Sequence, residues 1–377
     1  MARTSEYYRG KRKKKNRVLI PAAVLLGLIS LVVVLFYGMQ KYVVITKDSV
    51  RVELPILGEM EELTGIAESE QRELEPMAEV SVTFEEPDYS RIEADAGYNL
   101  QQMRAIFVKA DDFTVDKITE YAARLNVGNA LVLEMKPPSG AIKWDSKAWS
   151  ATAFGLTGSP LTDEMKTQLA TLKENKVYLV AQISICRDEL YASRSTVVTL
   201  RNDAGFNYMD EGGYWLDGYS LDLLDYTVSM VRELYEMGFD EVVLANVVHP
   251  VLKEGERVLY SREMSTPQSP VNAICGFARS VAEELKDRDG FLSIYVDSAS
   301  ALLGRDSANG QDGNLFFKLY DSVYYMTDRY AYTFNVADLQ NKQIIGRLSE
   351  RFVPVVLNYL PDNRDKISWV LIDTEND

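Results

Sequence analysis

Carboxylates are the side chains in this sequence best placed to do chemistry. Asp111 and Asp112 follow the strand-like run RAIFVKA (104–110), and Glu134 sits near the end of ALVLEMK (130–136). Asp188 and Glu189 follow VYLVAQISI (177–185), and Asp297 lies near the end of FLSIYVDS (291–298). Asp328 ends SVYYMTD (322–328), and Asp362 follows FVPVVLNYL (352–360). Two carboxyl groups flanking a sugar bond are the minimum for glycoside hydrolysis, one as proton donor and one as nucleophile or base. Glu134, Asp297 and Asp328 are the candidates for those roles. A chain with 56 acidic residues also scatters several over loops by chance. Glu134 stands out because its run is otherwise apolar, with Lys136 two residues on and on the same face of a regular strand. Such a pair is either a structural ion pair or a tuned site.

Aromatic residues gather in the same loops. Trp144 and Trp149 follow the second run, Trp215 precedes a helix, and Tyr324, Tyr325, Tyr330 and Tyr332 surround the sixth. Flat rings with a polar rim suit sugar faces, although buried rings are also ordinary core. Ligand contacts are expected from Lys136, Trp144, Trp149, Trp215, Asn246, Tyr325 and Tyr330. His249 is the single histidine, so a histidine triad or a histidine-based metal site is excluded. There is no G-x-G-x-x-G or G-x-x-x-x-G-K loop for phosphate. The stretch DSANGQDGN (306–314) has a calcium-like composition but fails the loop spacing, and reads as a solvated turn. Cys186 and Cys275 are too few for a disulfide framework. No cofactor and no metal are expected.

These residues need elements to position them. After Tyr98, strand-like runs alternate with helix-like ones such as VDKITEYAARLN, LTDEMKTQLATLKEN and SLDLLDYTVSMVRELYEMG. The runs already named, with EVVLANVV (241–248) and WVLID (369–373), make eight. They are apolar nearly throughout instead of alternating, the mark of parallel strands buried on both faces. Eight βα units predict an α/β fold, a (β/α)₈ TIM-type barrel, whose reacting groups sit at the C-terminal ends of the strands. The segment PDNRDKIS is short for a last crossover helix, so an irregular close is expected there. A doubly wound open sheet is the alternative.

The N-terminal part has a different logic. The first seventeen residues carry eight Lys or Arg against one Glu, which leaves −22 after them from the whole chain's −15. Residues 18–37 hold no charge, and twenty helical residues span about 30 Å, the bilayer's hydrocarbon core. A basic tail stays cytoplasmic. The expectation is a single-pass signal anchor with its N terminus in the cytoplasm and its C-terminal domain extracellular, at the cell surface. A cleaved signal peptide is the alternative, but YGMQKYVV offers no small-residue cleavage site. Residues 38–97 read as an acidic stalk, with fourteen Asp or Glu and three Arg between Arg51 and Leu100. A small accessory subdomain is the other reading. The domain itself is expected at 98–377. Its acidity excludes nucleic acid as a partner.

The stretch from about Arg104 to Tyr332 resembles the glycoside-hydrolase domain of bacterial surface proteins, a TIM-barrel group distantly like the α-amylase-type hydrolases. ALVLEMKPPSG is similar to the family's AVVIDVKDDSG, with Glu134 in the Asp position. VYLVAQISICRDELYA is similar to IYVIARIVVFKDPLLA, with Gln182 in the Arg position. YWLDGYSLDLLDYTVSMVRELYEMGFDEV matches the family's most specific block in order over nearly thirty positions, and DSVYYMTDRYAY resembles DVISPMVYPSHY. The resemblance implies a carbohydrate-directed barrel. It also implies loss at strand four, where the family ends like QFDYIRFP. Ala245 and Val248 stand here in place of its Asp and Arg, and Asp328 in place of a Tyr. Two outcomes follow. One is a glycan-binding barrel of the cell envelope with a degenerate catalytic site. The other is an active hydrolase with relocated carboxylates, Glu134 with Asp297 or Asp328.

Overall fold

The architecture is that of a computed structural model, which describes residues 43–46, 49–52, 103–124, 129–261, 268–327, 351–360 and 367–374. The chain divides into two units, Met1–Glu85 and Glu86–Asp377. In the first, strands Val43–Thr46 and Ser49–Val52 pair antiparallel as a hairpin. The basic tail, the apolar run at 18–37 and the rest of the stretch read as a stalk lie outside the described residues. Among the described residues no helix is long and apolar enough to cross a membrane.

The second unit holds eight strands: β1 (Arg104–Val108), β2 (Ala130–Lys136), β3 (Tyr178–Ser184), β4 (Glu241–Ala245), β5 (Phe291–Val296), β6 (Val323–Thr327), β7 (Phe352–Leu357) and β8 (Trp369–Ile372). They close into a barrel in sequence order, β8 returning to β1 through Val370 opposite Ala105. Every pairing in the ring is parallel. The open doubly wound sheet is thereby set aside. The expected irregular close is corrected as well: β7 and β8 pair in regular register, Val355 opposite Val370.

The apolar runs are buried on both faces, as their composition requires. Ala105, Val132, Val180, Val243, Val353, Val355 and Val370 fill the barrel interior. Ile106, Leu131, Leu133, Leu179, Leu244 and Ile294 face the helical layer. One charge enters the interior at the start of β4. Glu241 is buried there, accepting from Tyr178 Oη at 3.0 Å and Tyr324 Oη at 2.8 Å. Burial pushes its carboxyl up, against the hydrogen bonds it accepts.

The described helices are α1 (Val115–Ala123), α2 (Trp149–Phe154), α3 (Asp163–Glu174), α4 (Glu189–Arg194), α5 (Leu221–Glu236), α6 (Pro270–Glu284), α7 (Ala299–Leu303) and α8 (Gly313–Leu319). Their starts follow local chemistry. Thr114, Thr162, Ser220 and Ser269 each accept a backbone N–H three residues on, and Pro270 fills the first position of α6, where its missing N–H is not needed. On α5, Leu223, Tyr226, Met230, Val231 and Leu234 form the stripe against the barrel. Truncating one of them, Leu234→Ala for instance, costs about 2–5 kcal/mol.

Candidate functional site: a cavity at the barrel mouth

A cavity of about 520 Å³ opens at the C-terminal ends of the strands. Glu134 from β2 and Asp297, just past β5, both border it. Their strands lie three apart in the ring, so the two carboxyls face the cavity from well-separated walls. Asn246 and Tyr325, also expected at the site, border it too. Asp328 and Tyr330 lie outside the described residues.

Glu134 and Lys136 do not form the pair that a regular strand predicts. The register of β2 against β3 shifts between them, with Glu134 opposite Gln182 and Lys136 opposite Ile183. This bulge re-aims the side chains. Glu134 Oε2 accepts from the Ala110 N–H at 3.0 Å. Burial pushes its carboxyl up, the Ala110 hydrogen bond pulls it partly back, and the charge of Asp111 pushes it up again. Lys136 borders the cavity, yet its side chain is wholly buried, with Nζ 2.7 Å from Asp188 Oδ2 and 2.5 Å from Ser184 O. Asp188 uses its other oxygen, Oδ1, to cap α4 through the Tyr191 N–H at 2.7 Å.

Asp297 is held from behind by Gln311, whose Nε2 donates to Asp297 Oδ2 at 2.9 Å. Desolvation pushes the Asp297 carboxyl up to about 6, with the Gln311 hydrogen bond and, to a smaller extent, the Arg187 charge pulling the other way. The residue is exposed to solvent, so water moderates this rise. Gln311 belongs to the segment read from sequence as a solvated turn. That reading is corrected: Asn309, Gln311 and Asp312 are buried, and the segment is a hairpin in which Arg305–Asp306 pairs with Gln311–Asp312. An uncharged glutamine in a polar loop carries no signal of its role. The one local cue was Asp306, which folds the turn by accepting from the Ala308 N–H at 3.0 Å.

The end of β4 is where the sequence resemblance implies a departure, at Ala245 and Val248. Ala245 borders the cavity there, and so does Gln182 on β3. Val248 is buried. Asn246 follows Ala245 with φ at 52°, a left-handed conformation that asparagine tolerates better than most residues. Its Nδ2 donates to Ser184 Oγ at 3.0 Å, and Ser184 Oγ donates to Arg187 O at 2.7 Å. Among the described residues no group of His, Cys, Asp and Glu side chains could hold a metal ion.

The tryptophans lie elsewhere, which corrects their expected gathering at one mouth. Trp144 is buried, donating through Nε1 to Glu233 Oε2 at 2.6 Å. It borders a second cavity, about 490 Å³, between α3 and α5. Trp149 opens α2, 41% exposed and edge-on to Phe154. Trp215 is buried with the Arg187 guanidinium 4.6 Å from its ring centroid. The rings that border the mouth cavity are Phe107, Tyr295, Tyr324 and Tyr325. Tyr324 faces the barrel interior and Tyr325 the outer layer, as strand alternation requires. Aromatic faces, two carboxyls and two amides around one cavity can hold a polyhydroxylated ligand by stacking and hydrogen bonding.

The family described as "Putative glycosyl hydrolase domain" matches residues 105–347. No curated protein matches the chain. Among solved structures, a hypothetical protein from Ruminiclostridium thermocellum is 18% identical with a TM-score of 0.43, covering 50% of this chain and 96% of that one. A chitinase from Chromobacterium violaceum is 12% identical with a TM-score of 0.38, covering 68% of this chain and 69% of that one. The spore cortex-lytic enzyme of Bacillus megaterium is 12% identical with a TM-score of 0.40, covering 68% and 51%. At those scores none of the three bears on the chemistry of this chain.

Proposed function

This chain belongs to the glycosyl hydrolase domain family that matches residues 105–347, and from that premise we propose that it is a glycan-binding barrel of the cell envelope that has lost turnover. The observation that carries the reading is the state of the mouth cavity. Its strand-four wall is Ala245, where the family presents a carboxylate. Among the described residues that border it, Lys136 is the one cation, and Lys136 is engaged by Asp188. A glycosidase needs one carboxyl protonated and the other held ionised. Here desolvation pushes both Glu134 and Asp297 up, and the charges that oppose it, Lys143 and Lys109 on Glu134 and Arg187 on Asp297, are the smaller influences. The rings and amides serve binding without needing that asymmetry.

The ligand in this reading is an uncharged polysaccharide or envelope glycan, because two carboxyls bordering one cavity repel acidic sugars. The basic tail and the uncharged run at 18–37 support a single-pass anchor that holds the barrel outside the membrane on an acidic stalk at 38–97. The test is calorimetry of the full chain with chitotetraose, peptidoglycan glycan strands and an acidic polyuronate. Binding of a neutral glycan that is weakened by Asn246→Ala is expected. Binding of none of them, or of the polyuronate alone, overturns the reading.

One observation favours a second reading, hydrolysis by relocated carboxylates. Glu134 and Asp297 border a single cavity from separate walls, as an acid and its partner must. A carboxyl separation of about 5–5.5 Å fits a retaining mechanism and about 6.5–9.5 Å an inverting one.

A further inference from the structure

Gln311 is the most completely engaged polar side chain at the mouth. It has no exposed surface. Its Oε1 accepts from the Asp297 backbone N–H at 2.8 Å. Its Nε2 lies 2.9 Å from Asp297 Oδ2, 3.0 Å from Val247 O and 3.1 Å from Tyr295 O. These partners fix which end of the amide is which. A backbone N–H can only donate, so it must meet the oxygen; two carbonyls can only accept, so they must meet the nitrogen. The hairpin that delivers Gln311 is built for close approach. Gly310 has φ at +82°, and a Cβ there would sit 2.4 Å from Pro270 O. Asn309 Oδ1 accepts from the Gln311 N–H at 3.0 Å, and Asn309 O accepts from the His249 N–H at 2.8 Å.

We propose that Gln311 is the positioning residue for Asp297, locking Oδ2 from behind so that Oδ1 is the oxygen presented to a ligand. This rests on the reading of the mouth cavity as a glycan site. The Gln311 nitrogen is a donor, and a carbonyl or carboxylate oxygen accepts better than a carboxyl hydroxyl, so the clamp on Oδ2 favours Oδ1 as the oxygen that takes a proton. With the proton Oδ1 offers a donor to a sugar hydroxyl; without it, an acceptor. By tying the segment after β4 through Val247 and β5 through Tyr295, the same amide also fixes where that oxygen stands. Gln311 acts through Asp297 and does not itself touch the ligand.

The test is a double-mutant cycle on the full chain with chitotetraose as probe. Gln311→Met is expected to weaken binding about tenfold beside a native Asp297, and less than about twofold in the Asp297→Ala background, which has no oxygen left to clamp. Equal losses in both backgrounds would mark Gln311 as merely structural and overturn the proposal. A second measurement needs no Gln311 variant and no ligand. In the native chain labelled with ¹⁵N-glutamine, the Gln311 side-chain amide signals are expected to move with the titration of Asp297, and to stop moving in Asp297→Asn. Signals that ignore pH overturn the proposal even if the variant fails to fold. If chitotetraose does not bind at all, the glycan reading fails while the titration still decides the clamp.

Discussion

Replacing Lys136 by methionine separates a structural lysine from a ligand contact. Lys136 Nζ lies 2.7 Å from Asp188 Oδ2, and neither side chain has exposed surface. Breaking a buried pair from one side costs about 3–5 kcal/mol, because the remaining charge is left without its partner. Two features reduce that figure. Asp188 keeps the Tyr191 N–H at 2.7 Å, and a methionine fills the volume of the lysine stem. Lys136→Met is therefore expected to lose about 3 kcal/mol, a factor of roughly a hundred in the folding equilibrium. Adding Asp188→Asn removes the stranded charge while keeping an acceptor for the helix cap, so the double variant should regain part of that loss. The assay is urea unfolding followed by tryptophan fluorescence, read as a shift in midpoint at constant slope. A single variant that loses less than about 1 kcal/mol yet abolishes glycan binding would refute the reasoning and return Lys136 to the ligand.

Three further outcomes are expected. Trp144→Phe should cost about 1–3 kcal/mol in unfolding experiments by leaving Glu233 short of a donor, and should not alter glycan affinity, since Trp144 lies away from the mouth. Asp297 contributes a pH dependence whose sign is fixed by its raised carboxyl: the native state holds the proton longer than the unfolded chain, so stability falls as pH rises from about 4 through about 6. Asp297→Asn should reduce that slope in the melting temperature, by an amount that solvent exposure of the residue keeps small, and an unchanged slope would count against a raised Asp297 carboxyl. Protease added to intact cells should digest the barrel and spare the basic tail, and a protected C terminus would contradict the proposed orientation.

Much of the fold was legible because a barrel strand is a simple object. All eight runs, from RAIFV to WVLI, are apolar on both faces, and no helical stretch imitates that pattern. Helix starts were legible through Thr162, Ser220 and Ser269, whose capping is local chemistry. The site was only half legible. Strand ends placed Glu134 and Asp297 correctly at the mouth, but a one-residue bulge separated Glu134 from Lys136, and no sequence period announces a bulge. Trp144 and Trp215 sit in polar loops, yet both rings are buried, which loop composition does not announce. Gln311 was invisible because its importance lies in contacts to Val247, Tyr295 and Asp297, all distant in sequence.

The barrel is proposed to hold a glycan and leave it intact. Reducing-end release by the purified full chain, measured from about pH 4 to 8 so as to span the Asp297 titration near 6, tests it most directly. Binding of a neutral glycan with no release above that of a heat-denatured control is the predicted result. Sustained release by the native chain, abolished by Glu134→Gln or Asp297→Asn, would contradict the claim and show that catalysis had moved to the walls of β2 and β5.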